Sequence, residues 1–495
     1  MFSLPLLATL ALLSSCQATR WWTPGPEISG SSFRVITVSS QQLIPNTFSA
    51  AQNNSHVLQH IIQNAKPGTT IRIPAAAPAA KSDDNSNAGI FWLAGGIYLN
   101  NLQNVTIDIQ CQFRAVTTCF DGCWPKDTTG HHFQHFFEFS NSQHLTIQGK
   151  GGVIDGSGKG WWARYTIGNH SIAKRPKMFV FSGVSDLLLS DLTFINSPSF
   201  NMLLNPVLRV EVKNVTVITD RNVVRRLKST MAEHRRRRLV TTTSSRTLYD
   251  PLQPEDLNTD GIDPSGKDIW IHDSNIQNDD DSIAVKPLSS TYVGTEHLTC
   301  CENILIENTR LTGFGASIGS VSPHPDHNCV RNITFRNISM PGTGKGVYIK
   351  SNPTCMNDGS KTAEITNILY EDIHIDTPLW WPIWIGPQQQ QEPGSSLGRK
   401  CALQYPLLHS QCPTQSCVTF TNITLRRVTI TNPLLSPGVI LGNKTNTMKG
   451  ILFEDVVVTN PGSFPYEKGY LCKNVEGIAT GTTNPVPSCF SKAIK

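Results

Sequence analysis

A short phrase recurs along this chain, and it restricts the fold more than any other feature. It reads Asn104-Val-Thr-Ile-Asp-Ile, His144-Leu-Thr-Ile-Gln-Gly, Asp186-Leu-Leu-Leu-Ser-Asp-Leu-Thr-Phe-Ile-Asn and Arg209-Val-Glu-Val-Lys-Asn-Val-Thr-Val-Ile. Further copies begin at Asp268, Asn303, Asn332, Asn367, Asn422 and Gly450. Each is a short alternating strand, a polar Asn or Asp corner, then a second short strand. Copies lie from the low twenties to the fifties of residues apart. The short spacings fit one coil of a solenoid, and the long ones imply loops inserted at corners. Strands of successive coils then stack as parallel sheets around a continuous aliphatic core. The competing β-sandwich is disfavoured, because hairpin dipeptides are scarce between copies. The expectation is all-β: a right-handed parallel β-helix.

An open coil exposes core and strand edges, so both ends need covering. Helical spacing over residues 50–65 predicts an N-terminal capping helix, and the tail after Ser463, with Cys472 and Cys489, predicts closure of the other end. Residues 221–238 hold eight Arg or Lys and one acid, Glu233. The net charge of +5 is therefore local, and the remainder carries about −2. Global basicity gives no reason to expect a nucleic-acid partner. Residues 221–250 interrupt the repeat as an insert just ahead of an aspartate-rich segment. They read as a solvated loop, a processing site or a lid over an anionic polymer.

Leu4 to Leu13 is a short apolar run, followed by Ser14-Ser15-Cys16-Gln17-Ala18. This reads as a signal peptide over residues 1–18. The run Leu13-Ser14-Ser15-Cys16 also fits a bacterial lipoprotein box. No later stretch is long and apolar enough to cross a membrane. There are 13 Cys, and removing Cys16 leaves an even number, as a disulfide framework would need. Their clusters lack interleaved His, so zinc is not expected. Asn-X-Ser/Thr sequons begin at Asn53, Asn104, Asn169, Asn214, Asn332, Asn337, Asn422 and Asn443. Together these favour eukaryotic secretion of one domain, residues 19–495.

The densest acidic constellation is Asn258-Thr-Asp-Gly-Ile-Asp263 followed by Asn278-Asp-Asp-Asp-Ser-Ile-Ala-Val-Lys286. Asp260 and Asp280 are near one coil apart, which would stack them about 4.8 Å from each other. Crowding carboxylates raises at least one pKa and keeps one group protonated. Glycosidic cleavage needs such a pair: one protonated carboxyl for the leaving oxygen and one carboxylate for water or sugar. The competing use of such residues is turn capping or calcium binding.

These motifs resemble the polygalacturonase family of glycoside hydrolases (family 28), the inverting pectin hydrolases. That family shows Asn-Thr-Asp, Asp-Asp, Gly-His-Gly and Arg-Ile-Lys in order. This chain has Asn258-Thr259-Asp260, Asp280-Asp281, Gly313-Phe314-Gly315 and Tyr348-Ile349-Lys350. Val153-Ile154-Asp155-Gly156, Trp161-Trp162, Arg175-Pro176 and Asn196-Ser197-Pro198 also match in order. The resemblance implies Asp280 as general acid, with Asp260 and Asp281 sharing activation of water. It implies Lys350 on the sugar carboxylate and Asn258 orienting the sugar or a neighbouring carboxyl. Asp279 leaves a one-residue ambiguity in register, and Ser282 favours Asp280 and Asp281.

Two positions depart from the pattern. Phe314 stands where the family has His, and Tyr348 where it has Arg. Losing a guanidinium fork matters for an anionic substrate, although Tyr can stack on a sugar and donate one hydrogen bond. Rhamnogalacturonan hydrolases of the same fold also lack that His and Arg while keeping the Lys. The expected function is a secreted, monomeric hydrolase of pectic α-1,4-galacturonosidic bonds, with no metal, cofactor, nucleic-acid or membrane partner. The alternatives are a rhamnogalacturonan or other substituted-pectin hydrolase, a non-catalytic wall-polysaccharide binder, and a lyase. One indole of Trp380, Trp381 or Trp384 is a candidate for stacking on a sugar.

Overall fold

The computed structural model describes residues 34–38, 47–75, 90–117, 124–166, 175–220, 257–323, 328–352, 355, 362–391, 401–402, 405 and 411–492. The signal segment 1–18, the insert 221–250, Asn169, Cys119 and Cys123 lie outside the described residues. The described chain is a right-handed parallel β-helix. One sheet stacks Ile262–His272, Cys301–Leu311, Asn328–Pro341, Ala363–Asp376, Val418–Thr431 and Met448–Thr459 in parallel. A second stacks Phe137–Ser140, Phe179–Ser182, Met202–Lys213, Ile262–His272, Ile283–Val285, Ala316–Val321, Val347–Ser351 and Ile383–Gln388.

The repeated phrase has a backbone cause. Its first residue in every copy, from Asn104 through His144, Asp186, Arg209, Asp268, Asn303, Asn332, Asn367 and Asn422 to Gly450, has φ between +51° and +66°. This left-handed corner suits Asn, Asp and Gly. The corner amides also form a ladder: Asn422 donates to Asn367 at 3.2 Å, Asn367 to Asn332 and Asn332 to Asn303 at 3.3 Å, and Asn303 to Asp268 at 3.0 Å. Two sequon residues, Asn332 and Asn422, are thus rungs of a structural ladder. Inside, Ile269, Ile304, Ile333, Ile368, Ile423 and Ile451 align in register and are buried. Each such side chain contributes about 1.5–3 kcal/mol by burial.

The helix spans Phe48–Gln63, with the Thr47 hydroxyl accepting from Ala50 N–H at its N-cap. Its inner face carries Ala51, Asn54, Ser55, Leu58 and Ile62. The polar members serve the open strand edge. Asn54 donates to the Trp92 carbonyl, and Ser55 accepts from Ala94 N–H. Gln63 both donates to and accepts from the Asn100 backbone. At the other end Phe490–Lys492 pairs on Val475–Thr480, clasped by the Cys472–Cys489 disulfide. Among the described residues the other bridges are Cys300–Cys329, Cys355–Cys417 and Cys401–Cys412. Cys111 and Cys301 are buried thiols, raised by burial to about 12, so the even cysteine count overstates the framework. Among the described residues, no helix is long and apolar enough to cross a membrane.

Candidate active site

Register decides which aspartates meet. Ile262 pairs with Ile283, and Gly261 N–H donates to the Asp281 carbonyl at 3.0 Å. Asp260 therefore stacks on Asp281, one residue later than the Asp280 partner expected from spacing. The turn Asn278–Asp281 brings Asp280 alongside, and one carboxylate oxygen from each of Asp260, Asp280 and Asp281 lies within 4.8 Å of the others.

Backbone groups hold the turn. The Asn278 amide donates to the carbonyls of Thr259, Asp280 and Asp281 at 2.8–3.0 Å, and its oxygen accepts from Ser282. Gly313, at φ +34°, passes so close that a Cβ would sit 2.2 Å from the Asp280 carbonyl oxygen. The Arg175 guanidinium donates to the Leu257 carbonyl, anchoring the segment that leads into Asn258. Asn258 contributes its own N–H to Asp280 Oδ2 at 2.8 Å, while Asp281 N–H donates to Asp280 Oδ1 at 2.7 Å. Two backbone donors thus fix the orientation of the Asp280 carboxyl.

The carboxyl groups are pushed apart electrostatically. Burial raises Asp260 well above the usual carboxylate range, and the charges of Asp263 and Asp280 add to it. Asp263, also buried, rises to about 6 despite Lys286. Burial acts upward on Asp281 too, but Lys350, Lys286 and the Ser317 hydroxyl outweigh it and hold Asp281 below the usual range. Lys350 Nζ lies 2.6 Å from Asp281 Oδ2, and Ser317 donates to Asp281 Oδ1 at 2.8 Å. Lys286 Nζ stands 3.6–3.8 Å from Asp260, Asp263 and Asp281. The surroundings thus favour the protonated form on the Asp260 side and the ionised form on Asp281.

The departures from the family pattern occupy one buried cluster. Tyr348 is 1% exposed, in place of the sugar-facing position expected of it. Its ring centroid lies 3.7 Å from Lys345 Nζ and 4.3 Å from Lys350 Nζ, so its π-face serves lysines. Phe314 covers the same Lys345 at 4.7 Å. Burial and the neighbouring Lys350 push Lys345 well below its ordinary value. Trp381 and Trp384 pack into this cluster. Trp380 borders a groove of about 210 Å³ that Asp279, Gly313, Phe314 and Leu379 also line. Lys286 and Asp263 were inside the motifs read from sequence but carried no assigned role. Ser317 and Lys345 had no sequence signal, because only the coil register brings them to the trio.

A model of the glycosyl hydrolases family 28 matches residues 96–485. The chain is 24% identical over 416 residues to an exopolygalacturonase of Cochliobolus carbonum, covering 78% of this chain and 76% of that protein. It is 24% identical over 406 residues to an endo-polygalacturonase of Pectobacterium carotovorum, covering 80% and 81%. The solved polygalacturonase from Erwinia carotovora superposes with a TM-score of 0.56 at 20% identity, over 90% of this chain and 96% of that one. With a match running over most of the solenoid and all of the aspartate-bearing coils, this chain belongs to glycosyl hydrolase family 28 and is a glycosidase.

Proposed function

We propose that the protein is a secreted, inverting hydrolase of α-1,4-galacturonosidic bonds in pectin, acting as a single β-helical domain. The observation that carries this reading is the carboxyl trio, with one oxygen from each of Asp260, Asp280 and Asp281 within 4.8 Å of the others, in a setting where burial favours a protonated Asp260 and Lys350 an ionised Asp281. Acid–base cleavage needs both states at once. Asp280 protonates the leaving oxygen, and Asp260 and Asp281 activate water from the other side. Groups this close titrate together, so a proton held among them belongs to the trio and is available to Asp280. Lys350 receives the sugar carboxylate, exchanging part of its pairing with Asp281 for the substrate. Asn258 orients Asp280 through its backbone N–H. Tyr348 sets the Lys350 ammonium.

A second assignment is favoured by the Asp260 burial itself: Asp260 as acid and Asp280, held by two N–H groups, as a base. A galacturonide with a nitrophenol leaving group separates the two, since departure of nitrophenol needs no acid. Asp280→Asn retains activity on it if Asp280 is the acid, and Asp260→Asn does so if Asp260 is.

The function itself is tested by reducing-end release from polygalacturonate and rhamnogalacturonan, with the product anomer followed by NMR. Polygalacturonate is expected to be cut, with the anomer first formed inverted and Asp280→Asn slowed on the order of a hundredfold or more. Cutting of rhamnogalacturonan alone would favour the runner-up substrate, in line with the missing Arg at Tyr348. If neither polymer is cut, the hydrolase reading fails.

A further inference from the structure

The pairings Phe179↔Met202, Met202↔Ile262, Ile262↔Ile283, Ile283↔Ala316 and Ala316↔Val347 define a column across six coils. Two residues upstream in each coil stand Lys177, Phe200, Asp260, Asp281, Phe314 and Lys345. Backbone bonds carry the register that far: Met178 N–H donates to the Phe200 carbonyl and Asn201 N–H to the Asp260 carbonyl. The order is symmetric. Two aspartates are flanked by a phenylalanine and then a lysine on each side.

The two lysines are not equivalent. Lys345 is sealed in its aromatic box and donates to Gln390. Lys177 is half-buried, with its ammonium 5.3 Å from the Phe200 ring centroid. Among the described residues it makes no ion pair and its side chain no hydrogen bond; burial lowers its pKa, and Asp263, Asp260 and Glu138 oppose that only in part. The neighbouring His135, in the next coil outward, is pushed down to about 4 by burial and by Lys177, so it brings no competing charge at neutral pH. Lys177 lies two coils, roughly 10 Å, before Asp260. Lys350 lies two coils beyond Asp281 on the other side.

We propose that Lys177 recognises a substrate carboxylate on the N-terminal side of the aspartate trio, so that the cleft selects acidic sugars on both sides of the cut bond. The geometry is that of an ammonium with no ion-pair partner among the described residues, partly exposed and set in the same column as Asp260 and Asp281. The proposal rests on the pectin-hydrolase reading and refines it: a polymer with a uronate at every position satisfies Lys177 and Lys350 together. A polymer with uronates at alternate positions does not place them on adjacent sugars.

The test measures calorimetric binding of trigalacturonate and of the neutral α-1,4-galactotriose to full-length Asp280→Asn protein. Lys177→Met and Lys177→Arg are then added to that background. Lys177→Met is expected to weaken trigalacturonate on the order of tenfold and to leave galactotriose unchanged, with Lys177→Arg retaining most of the affinity. Equal weakening of both ligands, or unchanged trigalacturonate binding, overturns the role of Lys177. In the otherwise wild-type enzyme, polygalacturonate cleavage that persists while Lys177 proves inert shows that the hydrolase reading stands and this inference alone falls. If trigalacturonate binds no better than galactotriose in the Asp280→Asn parent, both fall.

Discussion

Lys350 and Asp281 are joined by a 2.6 Å contact between two almost fully buried groups. Charge pairing of this kind holds a carboxylate ionised at pH values where it would otherwise protonate. The sign follows directly: with its folded pKa lowered, Asp281 stays available as a base into acid solution, and the stability it contributes is lost only as pH falls through that lowered value. Lys350→Met removes its strongest favourable partner. The acid limb of the kcat/KM profile is expected to move to higher pH, with kcat/KM at its optimum down on the order of tenfold to a hundredfold. A profile displaced to lower pH, or unmoved, would show that Lys350 does not tune Asp281. The reading of Asp260, Asp280 and Asp281 as a group was legible in the sequence because they fall in two short, acid-rich motifs. Their pairing was not, because a one-residue shift of register exchanges Asp280 for Asp281 above Asp260.

At the scale of the element, the corner is the unit of construction. Asn332 combines a left-handed φ of +55° with two rungs of the amide ladder. Asn332→Ala meets both penalties, about 1–2 kcal/mol for the backbone and about 0.5–1.5 kcal/mol for lost hydrogen bonding. Asn332→Gly meets the second alone. Urea unfolding is expected to rank wild type above Gly above Ala; Ala equal to Gly would remove the backbone explanation. The corner was readable from sequence, since Asn, Asp and Gly recur there. Arg209 and His144, which share the same φ, would not have been chosen by composition; parallel pairing on both sides forces them into it.

The whole molecule is a stack, so its ends matter more than those of a layered domain. The helix Phe48–Gln63 closes one end with side-chain hydrogen bonds to open strand edges. The other is tied by Cys472–Cys489, which closes a loop of 17 residues. Cys489→Ser is expected to cost about 3 kcal/mol. Because the bridge lies several coils beyond the trio, kcat/KM at 25 °C should be unchanged while Tm falls. A change in KM without a change in Tm would contradict the stacked arrangement, in which coils couple mainly to their neighbours.

Local physics was enough for much of this protein. Alternation, corner residues and capping-helix spacing are short-range patterns, and they determined a parallel solenoid with a carboxyl-rich coil pair. What the tertiary structure alone decided is the column Lys177, Phe200, Asp260, Asp281, Phe314 and Lys345. Its members are separated by coils of unequal length, from 21 residues between Ile262 and Ile283 to 60 between Met202 and Ile262. No fixed spacing marks them in the chain. They meet because each strand locks to the next through its own hydrogen bonds and core side chains, and loops of any length outside that ladder leave the register unchanged.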